Sequence, residues 1–218
     1  MSHSFEAIKA KLFTSVLSDT LDAAGYRQQA MGPRIRPLDE EGILVGRVRT
    51  GYYMEVFHVD PGENPYLLEI KLIDDLKSGE IAVLGCGHSG RIAPWGELLT
   101  TAAMARGAAG CVTDGLVRDI RAIRKLGFPV FHGGIGPLDS KGRGKIMAID
   151  VPIECGGVLV APGDLLFGDA DGIVVIPRQI KDEVIAAALE KVEGENLTRD
   201  ALRRGETLAE VFARYGVL

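Results

Sequence analysis

The 218-residue sequence has little of several features that would narrow its function at once. Its three cysteines are widely spaced and odd in number, which argues against a disulfide framework and favours reduced, buried thiols. It has no excess of positive charge, since the formal net charge is -5, so nucleic acid is not an expected partner. No apolar run approaches the roughly 18 residues that a membrane-spanning helix needs.

The N-terminal stretch MSHSFEAIKAKLF also lacks a continuous hydrophobic region, so no signal peptide is expected. No internal repeat, linker or low-complexity segment divides the chain. With 46% hydrophobic residues, the chain is long enough to bury one substantial core. We therefore expect a single domain over residues 1–218, in a cytoplasmic protein with no membrane partner.

Segments with helical spacing alternate with short apolar segments that are typical of buried strands. Helices are predicted at 5–12, 15–24, 65–76, 95–107, from 118 or 119 to about 126, from 180 onward, and at 207–215. Strands are predicted at 42–50, 81–84, 111–113 and 129–131, with further strands and turns from 144 to 177. The order predicts a mixed α/β fold.

A glycine-rich stretch, Gly85-CGHS-Gly90, follows the predicted strand 81–84. It resembles a nucleotide or S-adenosylmethionine loop, which would make the protein a methyltransferase or another cofactor-binding enzyme. Such a site needs its glycines at the turn into the helix, where the amide groups meet phosphate or carboxylate. Here Arg91-Ile-Ala-Pro94 separates the glycines from the helix, which favours a loop that wraps around something smaller.

Strand 81–84, helix 95–107 and strand 111–113 form a βαβ unit, whose strands should be parallel. Ligands of such sheets bind beyond the carboxyl ends of the strands. Glu97 lies in the first turn of the crossover helix, and Arg118 and Asp119 follow the second strand. We therefore expect these three residues to cluster at one edge of the sheet.

The predicted cluster combines complementary chemistry. The carboxylates of Glu97 and Asp119 are hard oxygen donors suited to Mg²⁺ or Mn²⁺, directly or through water. Arg118 presents a planar fork that matches a carboxylate or an α-keto acid. Free amides at the helix start favour an anion. Together these groups would hold a pyruvate-like group and stabilise its enolate, although a dipole-complementing glutamate beside a surface ion pair remains an alternative.

Four motifs give the chain a resemblance to a known family. They are Glu97-x20-Arg118-Asp119, Gly96-Glu97-Leu98-Leu99, Leu126-GFPV-Phe131 and Gly168-DADGIVVI-Pro177. The chain resembles the RraA-like family, which includes the metal-dependent 4-hydroxy-4-methyl-2-oxoglutarate aldolases (HMG/CHA aldolases) and the ribonuclease E inhibitor RraA. The resemblance implies a swivelling β/β/α, or αββα-like, sandwich that assembles into homotrimers or homohexamers with sites between subunits.

The resemblance also implies a role for each residue of the cluster. Asp119 would bind the metal directly, Arg118 would grip the pyruvyl portion of the substrate, and Glu97 would hold a water molecule bound to the metal. Aldolase members have an acidic residue where Glu97 stands, whereas the ribonuclease inhibitor has glycine there. The chain therefore resembles the aldolase side more closely.

Further contacts are implied around this cluster. The amides of Trp95, Gly96, Glu97 and Leu98 would bind the substrate carboxylate, and the Trp95 ring would either cover the substrate or fasten the helix start. The aldolases also borrow a glutamate from a neighbouring subunit's C-terminal helix. The candidates for that glutamate are Glu190, Glu193 and Glu195.

The expected activity is retro-aldol cleavage of a 4-hydroxy-2-oxo acid of the 4-hydroxy-4-methyl-2-oxoglutarate type, with release of pyruvate. Oxaloacetate decarboxylation passes through the same enolate, so it is expected as a side activity. Mg²⁺ or Mn²⁺ is the expected cofactor, and a small 2-oxo acid is the expected ligand. The alternative function is a non-catalytic protein binder that regulates a ribonuclease.

Overall fold

The computed structural model describes residues 4–216. Its helices are α1 Phe5–Lys11, α2 Thr14–Ala23, α3 Leu67–Asp74, α4 Glu97–Ala105, α5 Ile120–Leu126, α6 Lys181–Arg203 and α7 Leu208–Tyr215. Its strands are β1 Arg36–Pro37, β2 Leu44–Glu55, β3 Glu80–Gly85, β4 Gly110–Val117, β5 Val130–Ile135, β6 Gly144–Ile149, β7 Ile153–Cys155, β8 Val158–Val160, β9 Leu165–Asp169 and β10 Gly172–Ile176.

One curved sheet organises the molecule. Its strand order is β1-β5-β4-β3-β2-β9-β10, with β6 paired to β2. The strands β2, β3, β4 and β5 are parallel to one another, and β9 and β10 form an antiparallel hairpin. The segment before β1 bridges β10 at Ala30, and β1 itself pairs with β5, so this segment nearly closes the sheet into a barrel.

Three apolar layers follow from this curvature. Alternate strand residues such as Val83, Val112 and Phe131 fill the inside of the curved sheet, where the small β7–β8 hairpin also packs. The opposite face of β3 and β4 packs under α3, α4 and α5. The outer face of β9 and β10 packs under α1, α2 and α6. The curved sheet therefore forms two facing layers, and each layer is covered on its outside by helices. This arrangement confirms the expected α/β sandwich.

Of the strands that extend beyond their predicted ends, β2 and β4 bear on the site. β2 continues to Glu55 and pairs with β6 from Gly51 onward, with a register shift between Tyr52 and Tyr53. β4 continues to Val117 instead of ending at Thr113, because the chain resumes pairing with β5 after an irregularity at residues 114 and 115. The carboxyl end of β4 therefore lies directly before Arg118.

Candidate active site

A cleft of about 350 Å³ lies beyond the carboxyl ends of β3 and β4, beside the start of α4. The edge of a parallel sheet where ligands usually bind is therefore open in this fold. Apolar side chains from α3 and α4 form part of its wall. The polar residues that line it are Tyr66, Glu69, Arg118, Asp119, Asp139 and Ser140.

The predicted βαβ unit brings the start of α4 against the end of β4. Trp95 forms a parallel bridge with Val117, and the Arg118 amide donates to the Trp95 carbonyl at 3.0 Å. One residue further on, the Glu97 amide donates to Asp119 Oδ2 at 3.2 Å. The three residues predicted to cluster, Glu97, Arg118 and Asp119, are therefore neighbours.

Asp119 has an unusual backbone conformation. Its φ of 58° and ψ of 28° are left-handed, a region that aspartate tolerates better than most residues but still at a cost. Although Asp119 stands at the cap position of α5, its side chain does not cap that helix. The carboxylate is instead turned toward Gly96, and 47% of the side chain is exposed. The strained turn therefore presents a carboxylate to the cleft.

Arg118 lies between two carboxylates. Its Nε is 3.7 Å from Asp119 Oδ2, and its Nη1 is 3.6 Å from Asp139 Oδ1. The same Nη1 donates to the Leu138 carbonyl at 3.4 Å. The guanidinium is therefore approached from two sides while the side chain stays 37% exposed at the cleft, which suits it to bind a planar anion.

The Glu97 side chain takes a different direction from its amide. Its Oε1 accepts a hydrogen bond from Thr101 Oγ1 at 2.9 Å, one turn along α4. Glu97 does not line the cleft but lines an adjoining open groove, which Asp119 also borders together with Ala122 and Lys125. The two predicted acids therefore share the groove, and Asp119 alone of the two also faces the cleft.

The Trp95 side chain fastens the helix start and does not cover the cleft opening. The ring is fully buried and stacks on Phe128 at a centroid distance of 6.2 Å. Its Nε1 donates to Thr100 Oγ1 at 2.8 Å, and that hydroxyl donates in turn to the Gly96 carbonyl at 2.9 Å. Of the predicted binding positions, Leu98 is the residue whose side chain stands exposed at the cleft rim.

Sequence reasoning missed the wall opposite Arg118. Tyr66 Oη donates to Asp139 Oδ2 at 2.7 Å, and Glu69 accepts hydrogen bonds from the Tyr53 hydroxyl and from Ser140. These residues come from α3 and from the loop between β5 and β6, far apart in the chain. No motif links them, although Glu69 stands out as an acid between the apolar positions Leu68 and Leu72.

This wall has shifted acid–base properties. Burial, the largest cause, raises the pKa of Glu69, and the charge of Asp139 acts in the same direction. Burial and the bond to Asp139 raise the pKa of Tyr66 to about 12. Burial also works to raise the pKa of Asp139, but the Tyr66 bond and the Arg118 charge outweigh it and leave that pKa below its ordinary value. Asp139 is therefore an anion beside Arg118.

The glycine-rich loop encloses a carboxylate of its own chain. Asp114 is buried and accepts hydrogen bonds from the amides of Cys86 at 2.5 Å and of His88 at 3.2 Å. These amides would otherwise be the donors for a phosphate or a methyl-donor carboxylate. The loop therefore folds around Asp114 and has a structural role. This argues against a nucleotide or S-adenosylmethionine site at its glycines.

The donor set suits a divalent cation held largely by water. Among residues 4–216 no group of three or more histidine, cysteine, aspartate or glutamate side chains is arranged to cage a metal. Mg²⁺ needs no such cage, because it is commonly held by one or two carboxylates and keeps several waters. The exposed Asp119 carboxylate, with Glu97 on the same groove, matches that requirement.

The candidate C-terminal glutamates lie in another part of the fold. Glu190, Glu193 and Glu195 are all on α6, which packs against α2 on the opposite helical layer. None of the three lines the cleft of its own chain.

Within the described range 4–216, no helix combines the length and the apolar character that crossing a membrane requires.

Comparison with solved structures defines the class of protein. Streptomyces coelicolor RraAS2, described as an unusual member of the RNase ES inhibitor RraA protein family, has a TM-score of 0.79 to this chain at 26% identity. The match covers 91% of this chain and 98% of that one. The curved sheet with its two helical layers is therefore the fold of RraA proteins.

Sequence comparison gives the family. The RraA-like model, described as Aldolase/RraA, matches residues 14–175, so the chain belongs to the RraA-like family, as its motifs predicted. A Halalkalibacterium halodurans protein, provisionally named a 4-hydroxy-4-methyl-2-oxoglutarate aldolase, is 37% identical over 82% of this chain and 79% of its own. A Thermus thermophilus protein named 4-hydroxy-4-methyl-2-oxoglutarate aldolase is 33% identical over 62% of this chain and 76% of its own.

Proposed function

We propose that this chain is a divalent-metal-dependent lyase that cleaves 4-hydroxy-2-oxo acids by retro-aldol reaction and releases pyruvate. Oxaloacetate decarboxylation is proposed as a side activity. The observation that supports this most directly is the Arg118 guanidinium beside the exposed Asp119 carboxylate, in a cleft at the start of α4. The relatives named as aldolases give the substrate type, 4-hydroxy-4-methyl-2-oxoglutarate.

The binding step uses groups that the cleft already presents. The Arg118 fork would bind the carboxylate or the keto oxygen of the pyruvyl portion. The first turn of α4 adds amides without intrahelical partners and the positive end of the helix dipole. One of these amides, that of Glu97, is taken by Asp119, which leaves its neighbours for the substrate.

The bond-breaking step needs stabilisation of an enolate and a proton acceptor. A divalent cation such as Mg²⁺ or Mn²⁺, bound by Asp119, would polarise the 2-oxo group and neutralise the enolate charge. Arg118 lies beside that position and would stabilise the same charge. Glu97, on the groove side of Asp119, would hold a water that accepts the proton of the 4-hydroxyl group as the C3–C4 bond breaks. The electron pair of that bond passes to the enolate, which then takes up a proton at C3 to give pyruvate.

The test is pyruvate release coupled to NADH oxidation. Purified protein is assayed with 4-hydroxy-4-methyl-2-oxoglutarate and with oxaloacetate, with added Mg²⁺ or Mn²⁺ and with excess EDTA. We expect activity that depends on the metal and that is lost in Asp119→Ala. Asp74→Asn is the matched control, because Asp74 forms an exposed ion pair with Arg106 outside the cleft. Full activity in EDTA or in Asp119→Ala would refute the proposed mechanism.

The second candidate is a regulator that binds a ribonuclease. The similarity to RraAS2 favours it, because that protein is described as a member of a ribonuclease inhibitor family. Glu97 argues against it, since the resemblance associates glycine at this position with the inhibitor. Tight co-purification with a ribonuclease, in a protein without lyase activity toward any tested 2-oxo acid, would support this second function over the first.

We propose homotrimers or homohexamers as the working form, with α6 supplying Glu190, Glu193 or Glu195 to a neighbouring cleft. The position of these residues on the layer away from their own cleft is compatible with such sharing. Light scattering gives the assembly size. Glutamine variants of the three residues, assayed one at a time, would identify the one that contributes, and three fully active variants would reject the sharing.

A further inference from the structure

We propose that Asp139, fixed by Tyr66, is a positioning residue that aims the Arg118 guanidinium at the 2-oxo acid. This inference rests on the proposed function and adds two residues to it that no motif indicated. Neither residue needs to contact the substrate for this role. Arg118 remains the group that touches the ligand.

The Arg118 side chain requires such positioning because it is long and emerges from a turn. A free arginine at this exposure would sample many rotamers and lose that freedom on binding a ligand. Here the two ends of its planar group are approached by different carboxylates, Asp119 at Nε and Asp139 at Nη1. Holding both ends leaves the remaining guanidinium edge to face a ligand in a defined orientation.

Asp139 can hold Arg118 only if it is itself held. Its Oδ2 accepts the Tyr66 hydroxyl at 2.7 Å, while its other oxygen, Oδ1, is the one nearest Arg118. The order Tyr66 to Asp139 to Arg118 therefore runs from the start of α3, across a loop, to the residue proposed to bind substrate.

The geometry separates this role from a purely structural one. Tyr66 and Asp139 both line the cleft, and the Asp139 side chain is 37% exposed. An ion pair at this exposure contributes little to folding stability, because water already screens the two charges. Loss of the Tyr66 hydroxyl should therefore leave the fold intact and change ligand binding.

Tyr66→Phe is the decisive variant, because it removes one hydroxyl and changes no charge. The probe is oxalate, a planar mimic of pyruvate enolate, titrated calorimetrically in the presence of Mg²⁺. We expect its affinity to fall about fivefold in Tyr66→Phe, the net size of one typical hydrogen bond. The KM for oxaloacetate should rise by a similar factor, with kcat changing less than about twofold. Asp74→Asn, the ion-pair control, should match the wild type.

A double-mutant cycle shows whether Tyr66 acts through Asp139. In an Asp139→Ala background, Tyr66→Phe should cause no further loss of oxalate affinity. If Tyr66→Phe weakens oxalate binding equally in the wild type and in Asp139→Ala, the hydroxyl contacts the ligand directly and the inference is overturned. Unchanged oxalate affinity in the single variant Tyr66→Phe also overturns it. If Asp139→Ala does not fold, Asp139→Leu supplies a background of similar volume without an acceptor.

The outcome also separates this inference from the proposed function. A wild-type protein that releases pyruvate, with a Tyr66→Phe variant equal to it, refutes the positioning role and leaves the lyase in place. A wild-type protein that neither binds oxalate nor releases pyruvate refutes the lyase and the positioning role together.

Discussion

Two aspartates five residues apart at the end of β4 show opposite uses of the same side chain. Asp114 is 2% exposed, and both of its oxygens accept backbone amides from the glycine-rich loop. Asp119 is about half exposed, sits on a strained left-handed turn, and accepts one backbone amide at its Oδ2.

The difference lies in which hydrogen bonds each carboxylate has left to make. Asp114 is satisfied by its own chain, so it organises the loop and offers little to a ligand. Asp119 has unused acceptor capacity and an open face, which is what a cation or a water molecule requires. The part of the sequence that most resembles a ligand loop is therefore structural, and the candidate site forms around the neighbouring acid.

The largest expected effect is on catalysis at Asp119. Asp119→Asn keeps the shape and tolerates the left-handed backbone, but it removes the charge that would bind the cation. We expect pyruvate release to fall by about a thousandfold, the scale of several kcal/mol of lost transition-state stabilisation. The free energy of unfolding in urea should change by less than about 0.5 kcal/mol. A large loss of stability would mean that Asp119 is structural, like Asp114.

The largest expected effect on stability is at Asp114. Asp114→Ala leaves the buried amide of Cys86 and the partly buried amide of His88 without an acceptor, which should lower the free energy of unfolding by about 3 kcal/mol. Urea denaturation followed by circular dichroism measures this. At a temperature where the variant is folded, activity should fall less than in Asp119→Asn. The comparison fails if Asp114→Ala is inactive but as stable as the wild type.

Glu69 provides an intermediate case with a pH-dependent outcome. Its folded-state pKa is raised by burial, so the folded protein favours the protonated form. That contribution to stability is fully present below the unfolded pKa and is lost as pH rises through the folded pKa. Glu69→Gln stays neutral, so its stability relative to the wild type should improve from about pH 4 upward and level off once the pH has passed the folded pKa of Glu69. Urea midpoints across this range check it, and a constant difference would contradict the sign.

The smallest expected effect is at Trp95. Trp95→Phe keeps an aromatic ring against Phe128 but removes the indole donor to Thr100. We expect a loss of about 1–2 kcal/mol in unfolding free energy from the missing bond and the reduced volume. Since the ring is fully buried and stacks on Phe128, KM should stay within about twofold of the wild type. A KM increase of roughly tenfold would mean that the ring covers the ligand after all.

Much of the architecture is predictable from the sequence because its signals are local. Glycine marks the predicted turns, buried strands are short and apolar, and the βαβ order alone brings Glu97 near Asp119. The sequence places the end of β4 too early because Asp114-Gly115 has the composition of a turn. In the fold, Asp114 is instead held by an amide from the neighbouring strand's loop, and pairing resumes after it.

The missed part of the site depends on long-range packing. Glu69 and Ser140 are 71 residues apart, and they meet because α3 packs beside β6 and the loop before it. Sequence spacing carries no information about such a contact. The orientation of the Glu97 carboxylate along α4 cannot be predicted from the sequence either. It depends on whether the side chain adopts the rotamer that accepts the Thr101 hydroxyl or one that points to solvent.

Gly96 has a consequence for separating the two candidate functions. Its φ of -152° is open to any residue, but a Cβ there would stand 2.7 Å from Asp119 Oδ2 and 3.2 Å from Arg118 Nε. One added methyl group, in Gly96→Ala, would therefore displace Asp119 and Arg118 while leaving the surface away from the cleft unchanged. Such a variant would lose the proposed lyase activity and keep the fold, so it would report whether a cellular effect requires that activity or only the folded chain.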